Sequence, residues 1–196
     1  AAAERRRLNY EIDGLVVKVN ELEVRRRMGY TGHHPRWAIA FKFESPEGVT
    51  RITRIEVQVG RTGRITPVAR VEPVSVGGTT IRNVTLHNQE YVNVLEVAEG
   101  DTVVVSRRGD VIPAVERVVE KNETGHAVWR MVERCPSCGG PIELRGAHHF
   151  CTNRHCPAQV RGRLHFFAAR DQMDIDHLGP ETIDVLVEEG LVTELA

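Results

Sequence analysis

Val57-Gln58-Val59-Gly60-Arg61-Thr62-Gly63-Arg64-Ile65-Thr66-Pro67-Val68-Ala69 sets β-favouring residues on either side of a turn flanked by two glycines. That pattern reads as two antiparallel strands joined by a tight connection. Outward from it, strand-like runs cover 49–59, 64–71, 79–86, 102–105 and 115–119. Gly60/Gly63, Gly77-Gly78, Gly100-Asp101 and Gly109-Asp110 punctuate them. Short strands separated this regularly predict a small closed Greek-key barrel.

An OB-fold is the barrel of that size, and the turn carries the residues expected to work for it. Glycines let a backbone approach a ligand closely, and arginine forks match phosphate oxygens. Arg61 and Arg64 flank the turn, and Arg51, Arg54 and Arg70 extend the basic stretch against Glu56 alone. The plainer reading is a solvated hairpin with ordinary surface charge. His87, in Val84-Thr85-Leu86-His87-Asn88, reads as a packing or turn residue.

The remaining chain divides around this barrel. Residues 8–44 hold two strand-like runs about a short helix, with Asn20 as N-cap, Glu23 at N3 and Gly29 closing after Met28. Residues 135–156 contain all four cysteines. From Ala158 the pattern is helical, with Val160, Leu164 and Phe167 on one face, and a second helix runs from Pro180 to Gly190. The expected organisation is multidomain and mainly β: 1–44, 45–128 as the OB-fold, 129–160 around the cysteines, and 161–196 as C-terminal helices.

The formal net charge of −1 conceals an uneven distribution. Residues 1–44, 45–128, 129–170 and 171–196 carry +3, −1, +5 and −8. A basic body offset by an acidic tail is an electrostatic footprint for nucleic acid. Of 26 basic residues, only Lys18, Lys42 and Lys121 are lysines. The longest apolar runs are strand-sized, which excludes a transmembrane helix. Ala1 to Arg7 lacks an apolar signal core and reads as the tail of a helix from a longer chain. A cytoplasmic, reducing setting is therefore expected, and the chain is expected to be a monomer.

Two lysines lie on strand patterns. In Glu11-Ile12-Asp13-Gly14-Leu15-Val16-Val17-Lys18-Val19, alternation puts Lys18 opposite Val17 and Val19. In Trp37-Ala38-Ile39-Ala40-Phe41-Lys42-Phe43, the aromatic and branched residues form a bulky face suited to a core. Ala38, Ala40 and Lys42 form the other, leaving space before a cationic donor. A phosphate or nucleotide site needs such a donor beside a hollow. Solvated strand faces are the alternative.

The cysteines run Cys135, Cys138, Cys151, Cys156, the first two in Cys-Pro-Ser-Cys-Gly-Gly. Two knuckles of thiolates suit tetrahedral zinc in a closed, structural site. Two disulfides are the competing reading, and His148, His149 or His155 leaves a three-cysteine, one-histidine set open. Arg134, Arg145, Arg154, Arg161 and Arg163 flank the site, placed for DNA phosphates or for a solvated rim.

The Glu11–Asn20 and Pro35–Phe43 stretches closely resemble two nucleotidyltransferase motifs of bacterial NAD-dependent DNA ligases. The resemblance implies the end of a nucleotidyltransferase (ATP-grasp-like ligase) domain, the OB-fold, a four-cysteine zinc finger and the start of a helix-hairpin-helix domain. It implies nick sealing in duplex DNA with NAD as AMP donor and Mg²⁺ or Mn²⁺. Lys18 and Lys42 would then contact AMP or its phosphate. Glu11 and Asp13 would bind the divalent metal or order the lysines, and Arg61 would reach the reacting phosphates. Gln172 to Thr182, joined through Leu178-Gly179-Pro180, resembles a helix-hairpin-helix start, although −8 over 171–196 argues for packing rather than DNA contact there. The family's Lys-x-Asp-Gly nucleophile motif does not occur in these 196 residues, so the chain is expected to lack complete catalysis alone. A non-catalytic OB and zinc-ribbon module is the competing function. An ATP- or GTP-using ligase or capping enzyme would share the lysine strands but not the cysteine segment.

Overall fold

The computed structural model describes residues 9–10, 12, 14–43, 46–108 and 112–194. Glu11 and Asp13 lie outside them. The first unit is a two-stranded antiparallel ladder of β1 (Gly14–Lys18) and β2 (Ala38–Lys42), connected through α1 (Leu22–Met28). Gly29 ends α1 with a positive φ of 64°, as its position predicted. The N-cap is Glu21, not Asn20, and makes no side-chain cap bond. Instead Arg25 reaches back to the Val19 carbonyl at 2.5 Å, tying helix to strand.

Five strands close the barrel: β3 (Glu47–Val59), β4 (Arg64–Val76), β5 (Thr79–Thr85), β6 (Thr102–Arg108) and β7 (Ile112–Glu120). Their circuit is β3-β6-β7-β5-β4, with β4 returning to β3. One parallel step, Thr85 opposite Ala114, joins β5 to β7; every other step is antiparallel. β3 and β4 are 13 residues each, longer than their sequence runs suggested. They serve two neighbours because each breaks register, β3 between Ile52 and Arg54 and β4 between Arg70 and Val74. Such irregularities bend a strand, which lets a small sheet close on itself. Ile52, Val84, Leu86, Val103 and Val115 are sealed within it. Full burial of such a side chain contributes about 1.5–3 kcal/mol.

An unanticipated helix, α2 (Gln89–Leu95), covers one end of the barrel with Val92 wholly buried. Asn88 caps it by accepting from the Tyr91 amide at 2.8 Å. Seven residues with mixed patterning give too few turns for a periodic signal. His87 precedes α2 with φ of 56° and packs edge-on against Tyr91, the turn role expected of it. Gln89 then straps the following chain, donating to the Trp129 carbonyl and accepting from the Met131 amide.

Past the strap come a hairpin of β8 (Ile142–Arg145) and β9 (His148–Cys151), then α3 (Pro157–Ala168) and α4 (Pro180–Glu188). β9 pairs with the start of β4 through Arg64–Phe150 and Ile65–His149, so the hairpin extends the barrel sheet. Val160, Leu164 and Ala168 on α3 bury against Ile183 of α4. Phe167, expected on that face, is exposed; the four-residue step continues to Ala168 instead. No helix among the described residues is long and apolar enough to cross a membrane.

Asp101 fastens the β6 end of the barrel. Its carboxylate is fully buried and accepts from the amides of Ala98 and Asn122 and the Asn122 side chain, at 2.8–2.9 Å, with Lys121 at 3.4 Å. Burial alone would raise its pKa, but these bonds and Lys121 outweigh it and hold the group below its ordinary 3.8. Its stabilising share is therefore complete above about pH 4 and is lost as pH falls through the depressed folded value. Asp101→Ala is expected to cost about 2–4 kcal/mol at neutral pH, since it strands buried donors. Denaturant melts at neutral and acid pH should show the mutant's deficit shrinking as the medium is acidified.

Candidate functional site

The β1–β2 register decides how the lysines relate. Gly14 lies opposite Lys42, Val16 opposite Ala40 and Lys18 opposite Ala38. Directly opposed residues share a face, so Lys18 and Lys42 stand on one face of the ladder, at its two ends. They are roughly 14 Å apart along the strands, at a rise of about 3.4 Å per residue. Between them the face carries only Gly14, Val16, Ala38 and Ala40. The result is a shallow floor with a cation at each end. The reverse face, Leu15, Val17, Ile39 and Phe41, is exposed, so the bulky face expected to be core has no cover among the described residues. Trp37 does pack, edge-on to Tyr30 and beneath the Arg25 guanidinium at 4.8 Å.

The four cysteine sulfurs converge from both ends of the hairpin, all within 4.8 Å of one another. Cys135 and Cys156 are 3.8 Å apart, Cys138 and Cys151 3.6 Å, and all four are free thiols. A disulfide would need about 2.05 Å. Four ligands at about 2.3 Å from a zinc ion stand roughly 3.8 Å from each other in a tetrahedron, so the spacing fits that ion. Histidines 148, 149 and 155 do not join the cluster. Burial raises the Cys138 thiol, but the Gly140 amide, Asn153 and the adjoining cysteines outweigh it and bring it down to about 7. At Cys151, burial with the neighbouring sulfurs pushes the thiol up to about 12. Burial likewise raises Cys135. One thiolate forms readily and then opposes the others, the condition a bound cation relieves.

The Gly60–Gly63 turn is seated against this cluster. The Cys151 amide donates to the Gly63 carbonyl at 2.8 Å, and Gln159, buried on α3, donates to the carbonyls of Cys151 and Asn153. Gly63 has φ of +84°, and a Cβ there would lie 2.5 Å from the Cys151 oxygen. Gly162 on α3 admits the turn from the other side, since its Cβ would meet the Arg61 backbone at 2.9 Å. Arg61 then lies over the Phe166 ring, its guanidinium carbon 3.8 Å from the centroid. Arg51, Arg54 and Arg70 are less available than their sequence suggested. Arg51 donates to the Gly100 carbonyl, while Arg54 and Arg70 both pair with Glu56.

Residues 1–46 match the NAD-dependent DNA ligase adenylation domain, and residues 49–127 match the NAD-dependent DNA ligase OB-fold domain. The chain belongs to the NAD-dependent DNA ligase family. A DNA ligase of Borrelia garinii subsp. bavariensis is 46% identical over 190 residues, covering 97% of this chain and 28% of that protein. The DNA ligase of Syntrophobacter fumaroxidans is 47% identical over 198 residues, covering 100% and 29%. The chain thus spans under a third of the length of the curated relatives it matches. The circuit of β3 to β7 is the ligase OB-fold, and the lysine ladder belongs to the adenylation-domain match.

Among these elements Gly162, Gln159 and Phe166 were passed over in the sequence. Arg161-Gly162-Arg163 held the available signal, because a glycine within a helical pattern marks a packing reason. Gly63→Ala combines a forbidden φ with a backbone clash, and is expected to cost about 2–4 kcal/mol, within the usual range for strain plus overpacking. Gly60→Ala, whose Cβ would meet only the Arg64 oxygen at 3.7 Å, should cost far less. Comparing their thermal melts checks the seating.

Proposed function

We propose that this chain is the part of an NAD-dependent DNA ligase that holds AMP and the nick phosphates during phosphodiester formation. The observation carrying this is the register that places Lys18 and Lys42 on one face, at opposite ends of a small-residue floor. A base and ribose need a flat floor, and an adenylate phosphate needs fixed cations. Lys18 and Lys42 contact AMP or its phosphate and neutralise charge as it develops. Glu11 and Asp13, outside the described residues, bind Mg²⁺ or Mn²⁺ or order those lysines. NAD supplies the AMP.

Arg61 serves the reacting phosphates of nicked duplex DNA. Stacking on Phe166 occupies one guanidinium face and leaves its N–H edge for oxygen ligands. The four cysteines hold zinc in a closed site whose work is structural, binding the hairpin to α3. The boundaries near 44, 128 and 160 separate adenylation, OB-fold, finger and helix-hairpin-helix units, in a protein that works as a cytoplasmic monomer. None of Lys18, Lys42 and Lys121 lies in a Lys-x-Asp-Gly motif, so the covalent lysine–AMP step is made outside this segment.

Chain purified without added metal should contain one zinc per molecule by elemental analysis. Cys135→Ser should lower that content and loosen the hairpin, because metal binding supplies folding free energy. Two disulfides and no zinc would defeat the assignment.

In the complete enzyme carrying this segment, Lys18→Ala, Lys42→Ala and Arg61→Ala should each slow nick sealing by roughly 10²-fold or more, the scale for removing one preorganised charge-stabilising group. This chain alone, incubated with NAD and Mg²⁺, should show no AMP adduct by intact mass. An adduct mapped to Lys42 would reverse the division of roles.

A further inference from the structure

An open cavity of about 670 Å³ lies where the β3–β4 turn, the cysteine hairpin and α3 meet. Four arginines line it: Arg61 from the turn, Arg145 from β8, Arg154 between Cys151 and Cys156, and Arg163 from α3. The one carboxylate in the lining is Glu194, which faces His155 at 3.7 Å. Arg145 is engaged by Glu143 at 2.6 Å. Arg61 lies on Phe166, and Arg163 donates to the Arg154 carbonyl at 2.5 Å. Among the described residues, no carboxylate is ion-paired to Arg61, Arg154 or Arg163.

Like charges brought together from four separate segments repel one another, and here the fold offers almost no acid in return. The finger and the helix set out their arginines toward the same space as the barrel turn. An anion is the missing partner. We propose that this cavity is a second phosphate site, in which Arg154 and Arg163 grip a phosphodiester of duplex DNA beside the phosphates that Arg61 serves. The shared chemistry is a phosphate oxyanion, and a strand-borne diester fits better than a free ion. The cavity is wide and its arginines are partly solvated, which gives a small ion little reason to remain. A diester fixed in a backbone reaches in while its neighbours stay outside, and each charge neutralised releases a counterion. The proposal rests on the reading of this chain as a DNA-binding part of a ligase. It extends that reading to a surface of the finger and α3 that the metal site itself does not require.

The test uses the 196-residue chain and a short fluorescein-labelled nicked duplex, followed by anisotropy from about 50 to about 200 mM salt. Arg154→Gln and Arg163→Gln should each weaken binding roughly 3- to 10-fold and reduce the salt slope by about 1. Arg130→Gln, away from the cavity, should change neither. Zinc content and thermal midpoint establish that each variant is folded; should either fall, Arg154→Lys or Arg163→Lys is to retain the slope and lose only part of the affinity. Inorganic phosphate should displace no more duplex than chloride at equal ionic strength. Folded variants that keep wild-type affinity and slope would overturn the site while leaving DNA binding by the chain intact. Displacement by phosphate beyond the ionic-strength effect would overturn the diester assignment in favour of a free anion. Failure of the wild-type chain to bind duplex at any salt would instead overturn the DNA-binding reading, and the site with it.

Discussion

The hydrogen bond from the Cys151 amide to the Gly63 carbonyl sits where three units meet, and their mutual placement depends on it. On one side is the barrel, whose β3–β4 turn ends at Gly63. On the other is the sulfur cluster, since the donor belongs to one of the cysteines. Gln159, reaching from α3 to the carbonyl of the same cysteine, brings in the helices. The β4–β9 pairing repeats the connection two residues further along. A barrel alone would leave its turn free to sample many conformations, and a finger alone would lose Ile65 of β4 and keep only Met131, Ile142 and Ala158 around its sulfurs. Joined, they hold Arg61 against a ring on α3. The sulfur cluster therefore acts on Arg61 at a distance, by fixing the backbone that presents its guanidinium.

This arrangement explains why the sequence reads well in some places and poorly in others. Local patterns survived: the barrel strands follow from β-branched runs and glycine punctuation, and the lysine faces follow from alternation alone. The cysteine set followed from ligand spacing, and the geometry removed the histidine alternative because His148 and His149 lie along β9 rather than at its sulfur-bearing end. Pairings between distant segments were invisible. Nothing in Arg64-Ile65 announces a partnership with His149-Phe150, and nothing in Phe166 announces Arg61. Both depend on which surfaces meet after folding. α2 was missed because seven residues cannot display a helical period, and the extra length of β4 because its bulge interrupts the alternation.

Charge tells a similar story at larger scale. Counting Arg51, Arg54, Arg61, Arg64 and Arg70 together suggested one basic stripe on the barrel. In the fold, Glu56 takes up Arg54 and Arg70, and Gly100 takes up Arg51. What remains uncompensated lies at the junction, where Arg61 joins Arg154 and Arg163. The acidic C-terminal segment is partly consumed as well: Arg161 pairs with Asp184 and Glu188 across α3 and α4. These surface pairs are worth little individually. Their effect is to engage two of the segment's acids with Arg161, so that neither is ion-paired to Arg163.

The lysine ladder stands apart from this junction in both contacts and exposure. Its outward face of Leu15, Val17, Ile39 and Phe41 is a contiguous apolar surface on a two-stranded sheet, and such a pair is at best marginally stable in water. Such a ladder gains its order when that apolar face is buried, and no described residue covers it. The barrel, by contrast, closes its own sheet and fills its own core. The two candidate sites thus rest on different supports. The placement of Arg61 is secured among the described residues, through the turn, the sulfurs and α3. Placement of the lysines is secured only when the apolar face of the ladder is covered, whereas Arg61 is held by the packing of the turn against α3.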